Sequence, residues 1–172
     1  MKVVFIIASP SDETWADKIK KHLEKWKLDT VTHMASAHKV PERVFSIVQE
    51  HNKEKVLVYV TIAGRSNGLS GVVAANAIHP VIACPPFEDK TDMQVNVQSS
   101  LQMPSDTPVM TILDPANVAD ACARIFGIVD SDLQTKISDN IEAIKSKYQL
   151  TGRRLGLASL SQDRIEGFIN FF

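Results

Sequence analysis

The side chains best suited to chemistry stand in three short polar turns, at residues 9–12, 36–39 and 63–69. Each turn follows an apolar run typical of a β-strand. Ser9 and Ser36 are 27 residues apart, and Gly64 follows Ser36 after a further 28 residues. This interval matches one strand–helix–strand unit of about 30 residues. We therefore expect all three turns at the carboxyl ends of parallel strands.

The first turn offers the hydroxyls of Ser9 and Ser11 and the carboxylate of Asp12. Pro10 indicates that a helix begins here, and the N–H groups at a helix N-terminus favour an anion such as phosphate. Because Asp12 would repel phosphate, we expect it to accept hydrogen bonds from hydroxyls such as those of a ribose. The alternative is that Ser9 and Asp12 only cap the helix.

The second turn places the imidazole of His38 beside the ammonium of Lys39, directly after Ser36 and Ala37. Lysine binds phosphate as a point charge. The histidine side chain, which ordinarily titrates near pH 6.5, can pass a proton in either direction at neutral pH. A lone histidine in a turn is more often a surface residue than a catalyst, and we assign no role to the other four histidines.

The third turn comprises Ala63, Gly64, Arg65, Ser66, Asn67, Gly68 and Leu69. Its glycines let backbone amides approach a ligand closely, and its polar side chains add a guanidinium, a hydroxyl and an amide. Taken alone, the turn is explained equally well as a tight connection. Together, the three turns describe a site for a phosphorylated ribose carrying a flat ring, with one histidine available for proton transfer.

Strand-like and helix-like runs alternate along the chain and predict an α/β fold. Strands are expected at residues 3–8, 30–34, 56–63, 81–83 and 109–113, and helices at 12–27, from 41 onward, and at 69–77, 115–126 and 130–148. Residues 87–98 have no clear assignment. We predict a three-layer, flavodoxin-like parallel sheet in the order 2-1-3-4-5, with helices on both faces and a C-terminal helix and tail. In that order the first three strands are neighbours, so their turns meet in one crevice.

Composition narrows the class of protein. The chain has 172 residues, of which 44% are hydrophobic and 23% charged, and is expected to form one domain over residues 1–172. We expect its apolar tail at 151–172 to pack on this domain or on a neighbouring subunit. A formal net charge of -1 gives no basic excess for nucleic acid, and no apolar run is long enough for a membrane span. Cys84 and Cys122 form no CxxC pair, which favours two core thiols in a reducing cytoplasm over a zinc site or a disulfide.

Four segments resemble, in order, the signatures of the PurE family, which carboxylates aminoimidazole ribonucleotide in purine biosynthesis. They are Ser-Pro-Ser-Asp at 9–12, Ser-Ala-His-Lys-Val-Pro at 36–41, Ile-Ala-Gly-Arg-Ser-Asn-Gly-Leu-Ser-Gly at 62–71 and Ser-Leu-Gln-Met-Pro at 100–104. The resemblance covers roughly residues 3–128. The ordered set of four motifs is highly specific.

The resemblance implies a role for each turn. Ser9, Ser11 and Asp12 would bind the phosphate and ribose. Ser36 and Lys39, in a binding turn that also contains Ala37, would complete the phosphate site. Residues 63–69 would enclose the substrate's imidazole and carbon dioxide, with His38 as general acid/base. No metal, biotin or ATP is implied, and the family forms homo-octamers or related assemblies with sites at subunit contacts.

The family has two branches, and this sequence resembles the branch that uses carbon dioxide directly, called class II. The other branch, a mutase, usually has Ser-Ala-His-Arg and a longer third turn with a second histidine, whereas this chain has Lys39 and a short turn at 65–69. The sequence departs from the family at Ala8 and Asp106, where glycine is usual.

Two alternatives remain open beside class II carboxylation. The first is mutase activity. The second is a non-catalytic, flavodoxin-like module that binds flavin or nucleotide, although Pro10 and Asp12 interrupt the Ser/Thr-rich phosphate loop that flavin binders usually carry. A phosphoacceptor receiver domain would need an aspartate at the end of the third strand, and residues 61–64 provide none.

Overall fold

A computed structural model, which describes residues 1–154 with 150–154 by backbone alone, contains a five-stranded parallel sheet. The strands are β1 (Lys2–Ile7), β2 (Asp29–Met34), β3 (Leu57–Ile62), β4 (Val81–Ala83) and β5 (Met110–Thr111). Their order is β2-β1-β3-β4-β5, and every pairing is parallel. The predicted flavodoxin-like order is confirmed.

Helices of the first unit cover both faces of this sheet. They are α1 (Glu13–Leu23), α2 (Pro41–His51), α3 (Gly68–Asn76), α4 (Lys90–Leu101) and α5 (Pro115–Gly127). A sixth helix, α6 (Ser131–Arg154), belongs almost wholly to a second unit that begins at Gln134. Helix α1 packs against α5, and α2 packs against α3. Alternate residues of a strand face opposite sides of the sheet. Val4 and Ile6 therefore join the core beneath α2 and α3. Phe5 faces the other side, toward α1, where Lys20 Nζ lies 5.8 Å from the centroid of its ring.

The strand register brings the polar turns to the same level. Ile7, the last residue of β1, pairs with Met34 at the end of β2 and with Ile62 at the end of β3. The ladder continues one step further, because the N–H of Ala35 donates to the carbonyl of Ile7 at 3.0 Å. The three turns therefore begin side by side at one edge of the sheet.

Three elements differ from the sequence-based expectation. The helix expected at 12–27 is α1 flanked by two short 3₁₀ turns, Pro10–Asp12 and Glu24–Trp26. The unassigned segment forms α4, whose N-cap Asp89 accepts from the N–H groups of Thr91 and Asp92. Strand β5 is shorter than expected because β4 has only three residues before Cys84 and two prolines, and so offers a short edge to pair with.

Both predicted core cysteines are buried. The indole N–H of Trp15 donates to Cys84 Sγ at 3.3 Å, and Cys122 lies on the buried side of α5. Desolvation raises the pKa of Cys84 to about 11 and that of Cys122 to about 12. The two thiols are therefore protonated at neutral pH.

Internal contacts divide the chain into one unit at Met1–Leu133 and a second from Gln134 onward. The three turns belong to the first unit. Within the described residues, no helix is both long enough and apolar enough to cross a membrane. A single domain over the whole chain stays a prediction, and the predicted docking of the tail concerns residues that lie largely outside the described part.

Candidate active site

The carboxyl ends of β1, β2 and β3 open onto a cavity of about 280 Å³. Residues of all three polar turns form its wall. They are Ala8, Ser9, Ser11, Asp12, Ser36, Ala37, His38, Lys39, Ala63, Gly64, Arg65, Ser66 and Leu69. All predicted site residues except Asn67 and Gly68 line this cavity, and Ala8 joins them. The predicted convergence of the turns is thus present within a single chain.

Two larger grooves occur elsewhere on the first unit, of about 550 and 510 Å³. Asp106 is the one charged residue lining the former, and His79 is the one titratable residue lining the latter. The smaller cavity instead gathers an imidazole, two cations, a carboxylate and several hydroxyls. Because chemistry depends on convergent polar groups more than on volume, the 280 Å³ cavity is the candidate active site.

The first turn is held together by its own aspartate. The backbone N–H and the hydroxyl of Ser9 each donate to Asp12 Oδ2 at 2.9 Å, and the Ser11 hydroxyl lies 2.7 Å from that of Ser9. Desolvation raises the pKa of Asp12, partly offset by the hydrogen bonds from Ser9. The capping role for Asp12 is therefore present, and the contact with a ribose stays a prediction.

The second turn carries the general acid/base candidate at the rim of the cavity. The N–H groups of Lys39 and Val40 both donate to the carbonyl of Ser36, at 3.2 and 2.9 Å, which closes the turn. His38 and Lys39 are exposed, whereas Ala35 just before them is buried. A rigid backbone thus presents two solvent-accessible side chains to a ligand.

The third turn is unusually tight. Ser66 has a left-handed backbone with φ of 51°, which few non-glycine residues adopt. The N–H of Gly68 donates to the carbonyl of Ser66 at 2.6 Å, and Asn67 between them has φ -65° and ψ 60°, the geometry of an inverse γ-turn. This compact turn brings the backbone of Gly64 and Ser66 to the cavity wall.

Asn67 acts as a structural clamp. Its Oδ1 accepts from the N–H and the hydroxyl of Ser70, which caps α3, and its side-chain amide donates to Ser100 Oγ at 2.8 Å. Its backbone N–H donates to Ser99 Oγ at 2.9 Å. These bonds fasten the third turn to α4. A direct contact between Asn67 and a ligand stays a prediction.

Sequence reasoning missed a second link between α4 and the cavity. Asp92 Oδ1 lies 3.6 Å from a guanidinium nitrogen of Arg65, and Asp92 Oδ2 accepts from Asn96 and from the N–H of Glu88, both at 3.1 Å. Asn96 is buried and also donates to the carbonyl of Pro86. No periodicity marks α4 in the sequence, so neither residue stood out as a neighbour of the cavity.

The cavity suits an organic anion better than a metal ion. Within the described residues, no group of three or more His, Cys, Asp or Glu side chains is arranged to hold a metal. Lys39 and Arg65 supply two cations to the lining, and Ser9, Ser11, Ser36 and Ser66 supply hydroxyls. Such a donor set matches the phosphate and hydroxyls of a nucleotide.

The two departures from the resembled family have different structural consequences. Ala8 lines the cavity, yet it is not among the residues with a positive φ, so its methyl group imposes no backbone strain. Asp106 has a φ of 61°, in the left-handed region where glycine is most easily accommodated and aspartate is tolerated. This conformation explains why a glycine suits that position.

Fold and site together define a flavodoxin-like α/β protein with a nucleotide-sized polar cavity at its switch point. Residues 2–147 match the AIR carboxylase family. The chain is 45% identical over 137 residues to a phosphoribosylaminoimidazole carboxylase of Archaeoglobus fulgidus, covering 80% of this chain and 75% of that protein. It is 36% identical over 141 residues to a human bifunctional phosphoribosylaminoimidazole carboxylase/succinocarboxamide synthetase, covering 81% of this chain and 33% of that protein.

The crystal structure of Treponema denticola PurE superposes with a TM-score of 0.82 at 34% identity, covering 90% of this chain and 98% of that one. The chain therefore belongs to the AIR carboxylase, or PurE, family.

Proposed function

We propose that this protein is a phosphoribosylaminoimidazole carboxylase of purine biosynthesis, which adds carbon dioxide reversibly to the ring carbon of aminoimidazole ribonucleotide. The observation that carries the proposal is the convergence of His38, Lys39 and the third turn on one cavity at the switch point. Family membership and relatives named as carboxylases support the same activity.

The proposed chemistry needs a base and close confinement. The enamine-like ring carbon attacks carbon dioxide, forming a carbon–carbon bond and a carboxylate. His38 then takes the proton from that ring carbon, which restores the aromatic ring, and it returns the same proton in the reverse direction. The third turn holds a neutral, weakly bound gas against the carbon, so proximity supplies much of the rate.

The remaining cavity residues bind the nucleotide in this proposal. Lys39, Ser36 and the hydroxyls of the first turn contact the phosphate. Asp12 accepts from the ribose hydroxyls while it retains its bonds from Ser9. Arg65 carries the second positive charge of the lining, where the new carboxylate forms.

Within the family, we propose class II activity. Lys39 and the short turn at residues 65–69 favour that branch, because the mutase branch usually carries arginine and a second histidine there. The cavity contains one imidazole, that of His38. We further propose that the reaction needs no metal or ATP, that it occurs in the cytoplasm, and that the protein acts as a homo-octamer or a related homo-oligomer.

The decisive experiment is a carboxylation assay on aminoimidazole ribonucleotide with and without bicarbonate, compared with turnover of the nitrogen-carboxylated nucleotide. Bicarbonate-dependent turnover of the first substrate is expected. Turnover of the second substrate alone would identify a mutase, and turnover of neither, with binding of flavin or nucleotide retained, would favour a non-catalytic module.

The role of His38 is tested by His38→Asn, which should abolish carboxylation while nucleotide binding is largely retained. His22→Asn is the matched control, because His22 is exposed on α1 and does not line the cavity. Near-full activity of His38→Asn would remove His38 from the chemistry.

A further inference from the structure

The ring of His38 lies against the first residue of α3. A Cβ atom added to Gly68 would be 3.0 Å from His38 Nε2 and 3.2 Å from Cε1, with Cδ2 next at 3.8 Å. Contacts shorter than about 3.4 Å are tighter than a side chain ordinarily makes. The tip of the imidazole therefore occupies the space that any side chain at position 68 would need.

The backbone conformation does not require glycine at this position. Gly68 is the first residue of α3, so its backbone is helical, and its φ lies outside the left-handed region. Glycine at a helical position is less favourable than alanine. Glycine at position 68 is therefore explained by the neighbouring imidazole and not by the backbone conformation of α3.

The start of α3 is held firmly in place. Asn67, directly before Gly68, is fastened to Ser70 in α3 and to Ser99 and Ser100 in α4. Ser70 is in turn 2.7 Å from the buried hydroxyl of Thr61 on β3. Because α3 is tied to two other elements, it resists displacement by an added methyl group. His38, which is exposed, has room to turn outward and is the partner that would move.

We propose that Gly68 is a positioning residue for His38: the missing side chain sets how far the imidazole reaches over the cavity. This inference rests on the proposed function, in which His38 moves the proton of the ring carbon. Proton transfer requires a nitrogen within hydrogen-bond reach of that proton, and misplacement by about 1 Å can reduce a rate about 100-fold. Gly68 differs from most residues of the third turn in that it does not line the cavity, so it acts on the reaction through the imidazole ring and not by holding carbon dioxide.

Two glycine substitutions in the same helix test the proposal. Gly68→Ala forces a shift of a few tenths of an ångström and should lower kcat about tenfold, with the KM for the nucleotide nearly unchanged. Gly71→Ala is the matched control, because its Cβ would meet only the flexible Met103 side chain at an ordinary 3.6 Å. Both variants gain helix propensity, so neither should lower the thermal midpoint.

Three outcomes would overturn the proposal. One is a Gly68→Ala kcat equal to that of Gly71→Ala and of the unmodified protein. Another is a thermal midpoint lowered in Gly68→Ala alone, because Gly68 would then serve the backbone of α3. The third is a rise in KM with kcat unchanged, which would make Gly68 a ligand-binding position.

A spectroscopic readout separates this proposal from the proposed function. The ring Cε1–H resonance of His38, assigned by its absence in His38→Asn, should move in Gly68→Ala and stay in place in Gly71→Ala. If the unmodified protein lacks carboxylase activity, the proposed function fails, yet this resonance still decides whether Gly68 positions the ring. An unmoved resonance in Gly68→Ala would overturn the positioning role whatever the activity.

Discussion

The side-chain amide of Asn67 donates a hydrogen bond of 2.8 Å to the hydroxyl of Ser100, across 33 positions of sequence. Both residues are buried. The bond ties the tightest turn of the cavity to a helix that contributes nothing to the cavity wall. The shape of the candidate active site therefore depends on α4 as well as on the turns themselves.

Replacement of Ser100 should test this dependence. Ser100→Ala leaves the buried amide of Asn67 without its acceptor, which should lower the free energy of unfolding by about 1–3 kcal/mol. Chemical denaturation measures this quantity. Ser105→Ala, at an exposed position, should change it by less than about 0.5 kcal/mol. Equal stability of the two variants would contradict the clamp.

Removal of the Lys39 ammonium should weaken binding of the nucleotide. Lys39→Ala loses a charge-assisted contact with phosphate, and because Lys39 is exposed we expect about a tenfold higher Kd, or about 1.4 kcal/mol. Titration calorimetry at low and high salt measures the effect, and the difference from the unmodified protein should shrink as salt screens the charge. Lys21→Ala, exposed on α1, is the control. An unchanged Kd in Lys39→Ala would exclude the phosphate contact.

A chain of polar groups joins β1, β2 and α2 away from the cavity. His33 Nε2 lies 2.8 Å from His51 Nε2, His51 Nδ1 lies 2.7 Å from Glu54, and Glu54 pairs with Lys2 at 2.8 Å. Desolvation by burial lowers the pKa of His33 most, and electrostatic repulsion from His51 and Arg43 lowers it further. The attraction of Glu50 raises this pKa but does not outweigh the other effects. The fold therefore disfavours a charged His33.

This arrangement predicts a loss of stability on mild acidification. The pKa of His33 is lower in the folded protein than its ordinary 6.5, so below that pH the unfolded chain binds more protons and is favoured. The free energy of unfolding should fall as the pH drops through 6.5 toward the folded-state pKa. The pKa of Glu54 is also lowered, chiefly by the hydrogen bond from Lys2, so its contribution is lost only below about 4.5.

Denaturation curves at several pH values between about 7.5 and 5.5 measure how the free energy of unfolding falls with pH. This range brackets the ordinary histidine pKa of about 6.5. His33→Gln, which cannot be protonated, should flatten the decline. His22→Gln should retain it, because His22 is exposed on α1. A decline of the same size in both variants would show that another group is responsible.

Glycine in place of Asp106 should stabilise the protein. The left-handed backbone of Asp106, with φ of 61°, costs a residue with a side chain about 1–2 kcal/mol, and less for aspartate. The entropy cost of glycine, about 0.5–1 kcal/mol, offsets part of this strain, so Asp106→Gly should raise the free energy of unfolding by at most about 1 kcal/mol. Ser105→Gly next to it has no positive φ to relieve and should lower it. A destabilised Asp106→Gly would contradict the strain.

Much of the architecture could be predicted because the pattern is local. The runs that form β1 and β3 are almost entirely apolar, as expected of strands buried on both faces. The near-equal spacing of Ser9, Ser36 and Gly64 predicted that the three turns begin at the same edge of the sheet. The predicted strand order then sufficed to predict that residues of all three turns form the wall of one cavity. These features depend on composition over a few neighbouring residues.

What escaped prediction depends on contacts between distant segments. Helix α4 has no apolar face that recurs every three or four residues, because its buried residues include the polar Asn96 and Ser100. The links from Asn67 to Ser100 and from Arg65 to Asp92 join residues about 30 positions apart. The contact between His38 and Gly68 likewise forms only when two turns are folded side by side.

The burial of Cys84 and Cys122 gives the protein a built-in reporter of its own opening. Only a thiolate reacts rapidly with an alkylating reagent, and both thiols are kept protonated and out of reach while the sheet and α5 stay packed. Labelling under native conditions therefore proceeds through transient exposure of the interior. Its rate, followed by mass spectrometry, would rank variants by how often their cores open, with no dye or engineered label.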